Sequence, residues 1–339
     1  MAKYILKRII MVIPVLIGVT VIIFLITRVL APDPAPVVLG EHATVASMHA
    51  WRTEHGLNDP IWKQYLSFVV DAIQGNLGKS YYSNQPVTAE IAARFPATVE
   101  LAICAIIVAS LLGVSLGAYA AVHKNKLADH ASMLLALIGV SMPIFWSGIL
   151  LIILFSGILH VLPSNGRASP MLAPSGGTGL FIIDTLVRGD FRAFGDVLAH
   201  LVLPVTALSL YSMAIITRMT RSSMLDTLGE DYVRTARAKG LLDRVVSIRH
   251  ALRNAMLPVS TVIGLQFGSL LGGAILTETV FSWPGIGKYT VECVLKSDFP
   301  VVQGVVLLIA VIFVIINLTV DIIYAILDPR IKYGKRDEG

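Results

Sequence analysis

Runs of about twenty residues without a single Asp, Glu, Lys or Arg recur along this chain, and they restrict its folding more than any other feature. Residues 9–27, 101–122, 257–277 and 299–320 are such runs, of 19, 22, 21 and 22 residues. A helix of about 20 residues, rising about 1.5 Å per residue, crosses a hydrocarbon core about 30 Å thick. Two further runs complete the set. Residues 131–159 number 29, with Pro143 expected to kink the helix, and residues 201–217 number 17, extended backwards by Val197, Leu198 and Ala199. Backbone polar groups in lipid must be satisfied within the segment, so each run is expected to be a helix. Composition agrees: 55% of residues are hydrophobic, 14% are charged and the mean hydropathy is +0.75, whereas soluble domains carry about 25% charged residues. The expected fold is an all-α polytopic membrane helix bundle with six transmembrane helices. An ordinary soluble enzyme is excluded.

The first run follows Lys3, Lys7 and Arg8. That order also describes a secretory leader, but the run is long for one and Val29-Leu30-Ala31 is a poor cleavage site, so it is read as a retained span. Six spans leave both termini on one side. Taking that side as cytoplasmic gives 17 basic and 9 acidic residues inside, against 10 and 13 outside. This matches the positive-inside rule. The net charge of +5 therefore reports orientation and points away from a nucleic-acid partner. The expected division is an N-terminal tail with the first span (1–31), an outer segment (32–97), a five-helix core (98–330) enclosing a cytoplasmic loop (218–256), and a cytoplasmic tail (331–339).

The outer segment is too long for a plain linker. It holds Trp51, Trp62, Tyr65, Tyr81 and Tyr82, and Ile61, Tyr65, Phe68 and Val69 follow near-helical spacing, so local folding is expected. The second outer loop (163–195) has an amphipathic piece at 180–187. Either loop could meet an outer partner or simply cap the bundle.

The cytoplasmic loop is the most informative stretch. Asp231 stands as a candidate N-cap, Arg237 and Lys239 lie where cations suit a helix C-terminus, and Gly240 suits the left-handed position after the last turn. The result is a helix of about two turns, too short to stand alone. Ala236, Ala238 and Gly240 leave room for close approach by a partner. A second helix is expected at 243–254, leading into the fifth span.

Asp231-Tyr232-Val233-Arg234-Thr235-Ala236-Arg237-Ala238-Lys239-Gly240, with His250, Leu252, Arg253 and Asn254 following, resembles the coupling-loop signature of ATP-binding-cassette (ABC) importer permeases. The dipeptide/oligopeptide/nickel group is the nearest likeness, in particular its dipeptide permease subunits with a long external loop. Pro96–Leu101, Ser141–Trp146, Thr277–Gly287 and Asp328-Pro329-Arg330 support this likeness over essentially the whole chain. The broad importer signature differs at Arg234, Thr235 and Ala236, and at Arg253, where it has Pro. The resemblance implies the type I importer permease fold, with the 231–240 helix seated on a cytoplasmic ATPase. It also implies a heterodimer with a second permease subunit, two ATP-binding subunits, a periplasmic substrate-binding protein and a bacterial inner (cytoplasmic) membrane. The implied activity is uptake of dipeptides or short peptides by alternating access. Nickel, glutathione, haem or oligopeptide cargo stays open. The chain itself is expected to be no enzyme and to bind no cofactor, with ATP and Mg on the partner subunits. Its one approach to a phosphate-binding loop, Gly78-Lys79-Ser80, has Ile73 where the first Gly belongs. A headgroup-binding role for the basic loop competes with the coupling role.

Within the fifth span, Ser260, Thr261, Gln266 and Ser269 are candidate pore-lining groups or interhelical hydrogen-bond partners, and Gly264, Gly268 and Gly272 form a small-residue packing face. Gly113 and Gly117 repeat that spacing in the second span. Arg28, Glu100 and Asp321 stand at span ends, where snorkelling to the interface explains them. No ionisable residue is expected mid-span, which favours ATP drive over an ATP-independent secondary carrier. A membrane-anchored sensor is the third reading. No metal site is expected: the eight histidines lack zinc spacing, although His42, His49 and His55 share the outer segment. Cys104 and Cys293 give no disulfide framework.

Overall fold

A computed structural model describes residues 2–40 and 42–327. The 331–339 tail and the Asp328-Pro329-Arg330 stretch lie outside the described residues. Thirteen helices follow in order: α1 Ala2–Leu25, α2 Pro34–Leu39, α3 Val45–Glu54, α4 Ile61–Ile73, α5 Val87–Val122, α6 Leu127–Ser141, α7 Ile144–Ile158, α8 Phe181–Arg188, α9 Phe191–Leu228, α10 Asp231–Ala238, α11 Asp243–Val280, α12 Ile286–Leu295 and α13 Phe299–Leu327. Among the described residues five helices are long and apolar enough to cross a membrane, and a sixth span exists if α6 and α7 count together.

That pair departs from expectation. Instead of one kinked rod, α6 and α7 meet at 104°. Proline has no N–H and pushes the residue before it out of the helical region. Met142 is accordingly extended at φ −86°, ψ 129°, and Pro143 starts a new helix.

Three helices exceed their apolar runs. α5 begins at Val87 just after Pro86, ten residues before the end of the 32–97 segment. Its first turns pack Val87 and Ile91 against the start of α13. α9 runs from Phe191, where Asp190 caps it by accepting from the Ala193 amide at 2.9 Å, through to Leu228. No separate helix exists at 243–254: through a π-helical stretch at Val246–Leu252 the chain continues unbroken as α11.

The core is a tight assembly of α5, α9 and α11. A Cβ on Gly117 would stand 2.5 Å from the Thr217 carbonyl oxygen, and one on Gly113 would stand 2.8 Å from Ile216. Only glycine permits α5 and α9 to approach so closely. Leu101, Ala105, Leu208, Val259 and Trp283 fill the space between the three helices. α1, extended by a π-helical turn at Ile26–Leu30, lies outside this core against α13: Gln303 donates to the Thr27 hydroxyl at 2.6 Å, and Arg8 pairs with Asp321 at 2.8 Å. The outer segment folds locally. α4 lays Tyr65 and Phe68 on Phe24 of α1, and Arg52 pairs with Asp33.

Candidate functional site

The inner loop is a compact hairpin. α10 opens at Asp231, with Glu230 in extended geometry before it and no side-chain cap, so Asp231 is the first helical residue and not the N-cap. Its carboxylate still meets the positive end of the helix dipole. Gly240 follows at φ +75°, the left-handed position that only glycine takes without strain, and its amide donates to the Arg237 carbonyl at 2.9 Å.

The short helix leans on its own chain. Val233 and Ala236 turn inward onto Val246 and Leu228. Ala236, expected at a partner contact, is buried for this reason and unavailable to one. Asn254 donates to the Tyr232 hydroxyl at 2.7 Å, and Arg237 pairs with Asp243 at 3.3 Å. Leu252 and His250 lie half-buried along the same seam, while Arg253 stays exposed. What remains open is a polar ridge of Asp231, Arg234, Thr235, Arg237, Ala238 and Lys239, ending at Gly240. Only the turn at 239–242 separates this ridge from α11, which is continuous from Asp243 to Val280.

Along α11, Gly264 and Gly268 face α13. A Cβ on Gly264 would reach within 2.2 Å of Val320, one on Gly268 within 3.1 Å of Phe313, and one on Gly272 would only touch Ile309 at 3.7 Å. The polar four are divided. Ser260 donates to the Leu257 carbonyl at 2.9 Å, and Thr261 does so at 3.4 Å. Ser212 of α9 donates to the Gln266 carbonyl oxygen at 3.1 Å, and Ser269 is exposed.

The charged groups where snorkelling was expected are all partnered, and Glu100 is buried as well. Glu100 is 4% exposed. It accepts from Arg167 at 2.5 Å and from the Ile182 amide at 2.8 Å. Arg167 also donates to the Gly179 carbonyl at 2.9 Å and stacks 3.8 Å from the Phe181 ring centre. Arg28 reaches the Tyr81 hydroxyl at 3.3 Å, and Asp321 holds Arg8. Two buried carboxylates were not anticipated. Asp129 binds Arg221 through two hydrogen bonds of 2.5 and 2.7 Å. Glu278, wholly buried, accepts from Thr98 at 2.6 Å and from the Lys288 amide at 2.9 Å. Gly285 and Gly287 make room for it, since a Cβ on Gly285 would fall 2.3 Å from its oxygen. Trp283 closes this corner by donating to the Ala97 carbonyl at 2.8 Å. The glycines of the Thr277–Gly287 stretch were the only signal in the sequence.

Outside the spans, two aspartates shift oppositely. Burial raises the Asp298 carboxyl, only partly offset by donation from Ser80 and the Tyr81 amide. For Asp184, burial is outweighed by the Thr178 amide and hydroxyl and the Gly179 amide, which hold it below its usual range. Gly78-Lys79-Ser80 lies in the outer loop, its serine committed to Asp298. His55 stacks on Trp51 at 4.1 Å. Among the described residues no three His, Cys, Asp or Glu side chains group as a metal site.

Residues 113–333 match the family described as the binding-protein-dependent transport system inner membrane component, and residues 1–102 match its N-terminal companion. The chain is 47% identical over 339 residues to the dipeptide transport system permease protein DppB of Escherichia coli K12, covering 99% of this chain and all of the relative. It is 45% identical to the di/tripeptide transport system permease protein DppB of Pseudomonas aeruginosa, over 99% of this chain and all of that relative. It is 40% identical to the glutathione transport system permease protein GsiC of E. coli, over 98% of this chain and all of that relative. Together with a multi-pass helical core, these matches exclude a secondary carrier or sensor: the chain belongs to the binding-protein-dependent inner-membrane components, the permease subunits of ABC importers, which work with ATPase and substrate-binding partners.

Proposed function

We propose that this subunit moves short peptides inward across a bacterial inner membrane, as one half of a heterodimer with a second permease subunit. Both termini face the cytoplasm, in line with the excess of Lys and Arg in the loops assigned to that side. One of two ATP-binding subunits docks on the polar ridge of α10 and the other on the second permease subunit, and a periplasmic binding protein delivers cargo to the opposite face. ATP and Mg reside on the ATPases; this chain carries no nucleotide site of its own. The relatives named for dipeptides, di/tripeptides and glutathione share one cargo chemistry, a small peptide with a free carboxylate. Ser260, Thr261, Gln266 and Ser269 are proposed to face the path in the inward- or outward-open states.

The observation that carries this reading is mechanical. A two-turn helix, bonded through Tyr232 and Asn254 to the base of α11, is joined to that membrane span by only the four-residue turn Lys239–Leu242. Closure of two ATPases pulls such a knob and tilts the span with it. Gly240→Pro tests it. Proline fixes φ near −65° where the chain needs +75°, and it removes the amide that bonds Arg237. Co-purification of the ATPases with the tagged permease is expected to fall sharply. Retention equal to the unsubstituted protein refutes docking through this helix.

A further inference from the structure

From the inner half of the bundle we infer that Arg218 receives the carboxylate of the transported peptide on its way to the cytoplasm. This rests on the peptide-import reading above. A groove of about 470 Å³ opens between α6, α9 and α11, walled by Met133, Ile215, Met219 and Val262. Its size falls in the range of about 300–1,000 Å³ typical of small-molecule sites.

Two arginines one turn apart on α9 enter this groove, and they are not equivalent. Arg221 is saturated by Asp129, which binds it through both carboxylate oxygens. Arg218 has no ion pair or hydrogen bond among the described residues and is exposed. The groove therefore carries one uncompensated positive charge against an apolar wall. A cation with no internal partner, beside an apolar wall at the end of a span, is open to receive an anion. A short peptide offers the matching shape: one carboxylate beside side chains of varying size. Met133 and Met219 suit that variation, because their unbranched, polarizable side chains adapt to different neighbours.

The polar context is graded along the same face. One turn above Val262 on α11 stands Gln266, whose carbonyl oxygen accepts from Ser212 while its amide N–H₂ has no partner among the described residues. Gln266 can donate to a peptide carbonyl one turn outward of the site where Arg218 holds the terminal carboxylate. Specificity for a free carboxylate would thus be read twice, by the delivering protein and again at the inner exit.

The test uses the complete transporter with its binding protein, reconstituted in vesicles, and measures peptide imported per ATP hydrolysed. Four combinations form a cycle: unsubstituted protein or Arg218→Gln, each with a dipeptide or the same dipeptide amidated at its C-terminus, at saturating concentrations. Removing either charge is expected to lower the ratio about tenfold, the size of a single charge-assisted contact, and removing both is expected to lower it no further. Arg218→Lys should retain most of the ratio. Independent, multiplying losses overturn the inference, as does an Arg218→Gln variant with unchanged coupling. Repeating the cycle in purely zwitterionic phosphatidylcholine separates the other source of anion: if the effect of Arg218→Gln vanishes there, the arginine holds a lipid headgroup and the inference fails. Unsubstituted protein that imports no peptide would instead overturn the import reading itself.

Discussion

The pair Glu100–Arg167 offers the sharpest test of how the outer end of the bundle is held. The carboxylate is 4% exposed and the arginine 7%, so neither can recover water when its partner is removed. In Arg167→Met the glutamate keeps only the Ile182 amide, the Gly179 carbonyl loses its donor, and the stack on Phe181 is gone. Breaking a buried pair from one side costs about 3–5 kcal/mol. Glu100→Gln should cost less, about 2 kcal/mol, since the amide oxygen still accepts from Ile182 and the guanidinium still finds Gly179 and two aromatic faces. If these were independent losses, the double variant would be worse than either. Because the cost comes from an orphaned charge, Glu100→Gln with Arg167→Met is expected within about 1–2 kcal/mol of the native protein. Thermal midpoints of the purified protein in detergent give the readout, at about 2 °C per kcal/mol for a chain of this size. That predicts a drop of roughly 6–10 °C for Arg167→Met and substantial recovery in the double variant. Losses that add to within about 0.5 kcal/mol refute the pairing.

Gly264→Ala places a methyl 2.2 Å from Val320 and is expected to destabilise by about 1–3 kcal/mol, with Val320→Ala restoring most of it; Gly273→Ala, which meets nothing within 4 Å, should be neutral or stabilising in the same thermal assay. Trp283→Phe strips the donor from the buried Ala97 carbonyl and should cost about 1–3 kcal/mol, read as faster proteolysis of the second outer loop. Between neutral and acidic pH, hydrogen exchange should separate the two outer loops. The raised Asp298 carboxyl favours its protonated folded form, so the clamp on Ser80 and Tyr81 gains as pH falls and loses as pH rises through its folded value. The depressed Asp184 stabilises above the ordinary aspartate range, and its loop should open only as pH falls through that lowered value. Equal responses of the two loops, or these two responses with their signs exchanged, would refute these assignments.

How much of this was written in the sequence depends on whether the cause was local. Uncharged runs of span length dictate helices, because a backbone in lipid has no other way to satisfy its polar groups. The left-handed turn at Gly240 and the helical spacing of Ile61, Tyr65 and Phe68 are equally local, and each was visible as residue type and spacing; at Pro143 the residue type signalled a kink but not the 104° turn between α6 and α7. Helix ends were not. Val87 and Phe191 start their helices well outside the apolar runs, the first because its turn packs on α13 and the second because Asp190 caps it, and no hydropathy window contains that information.

The charges divide the same way. Glu100 looked like an interfacial side chain until the second outer loop brought Arg167 to it from 67 positions away. Asp129 and Arg221 stand 92 apart, and Glu278 meets Thr98 across 180. Sequence alone decided that this chain crosses a membrane and carries a short helix ending at Gly240 between two spans, since both follow from short-range chemistry. Only the folded bundle decided which arginine is neutralised and which stays free, because whether a charge is matched depends on neighbours that the chain assembles from far along its length.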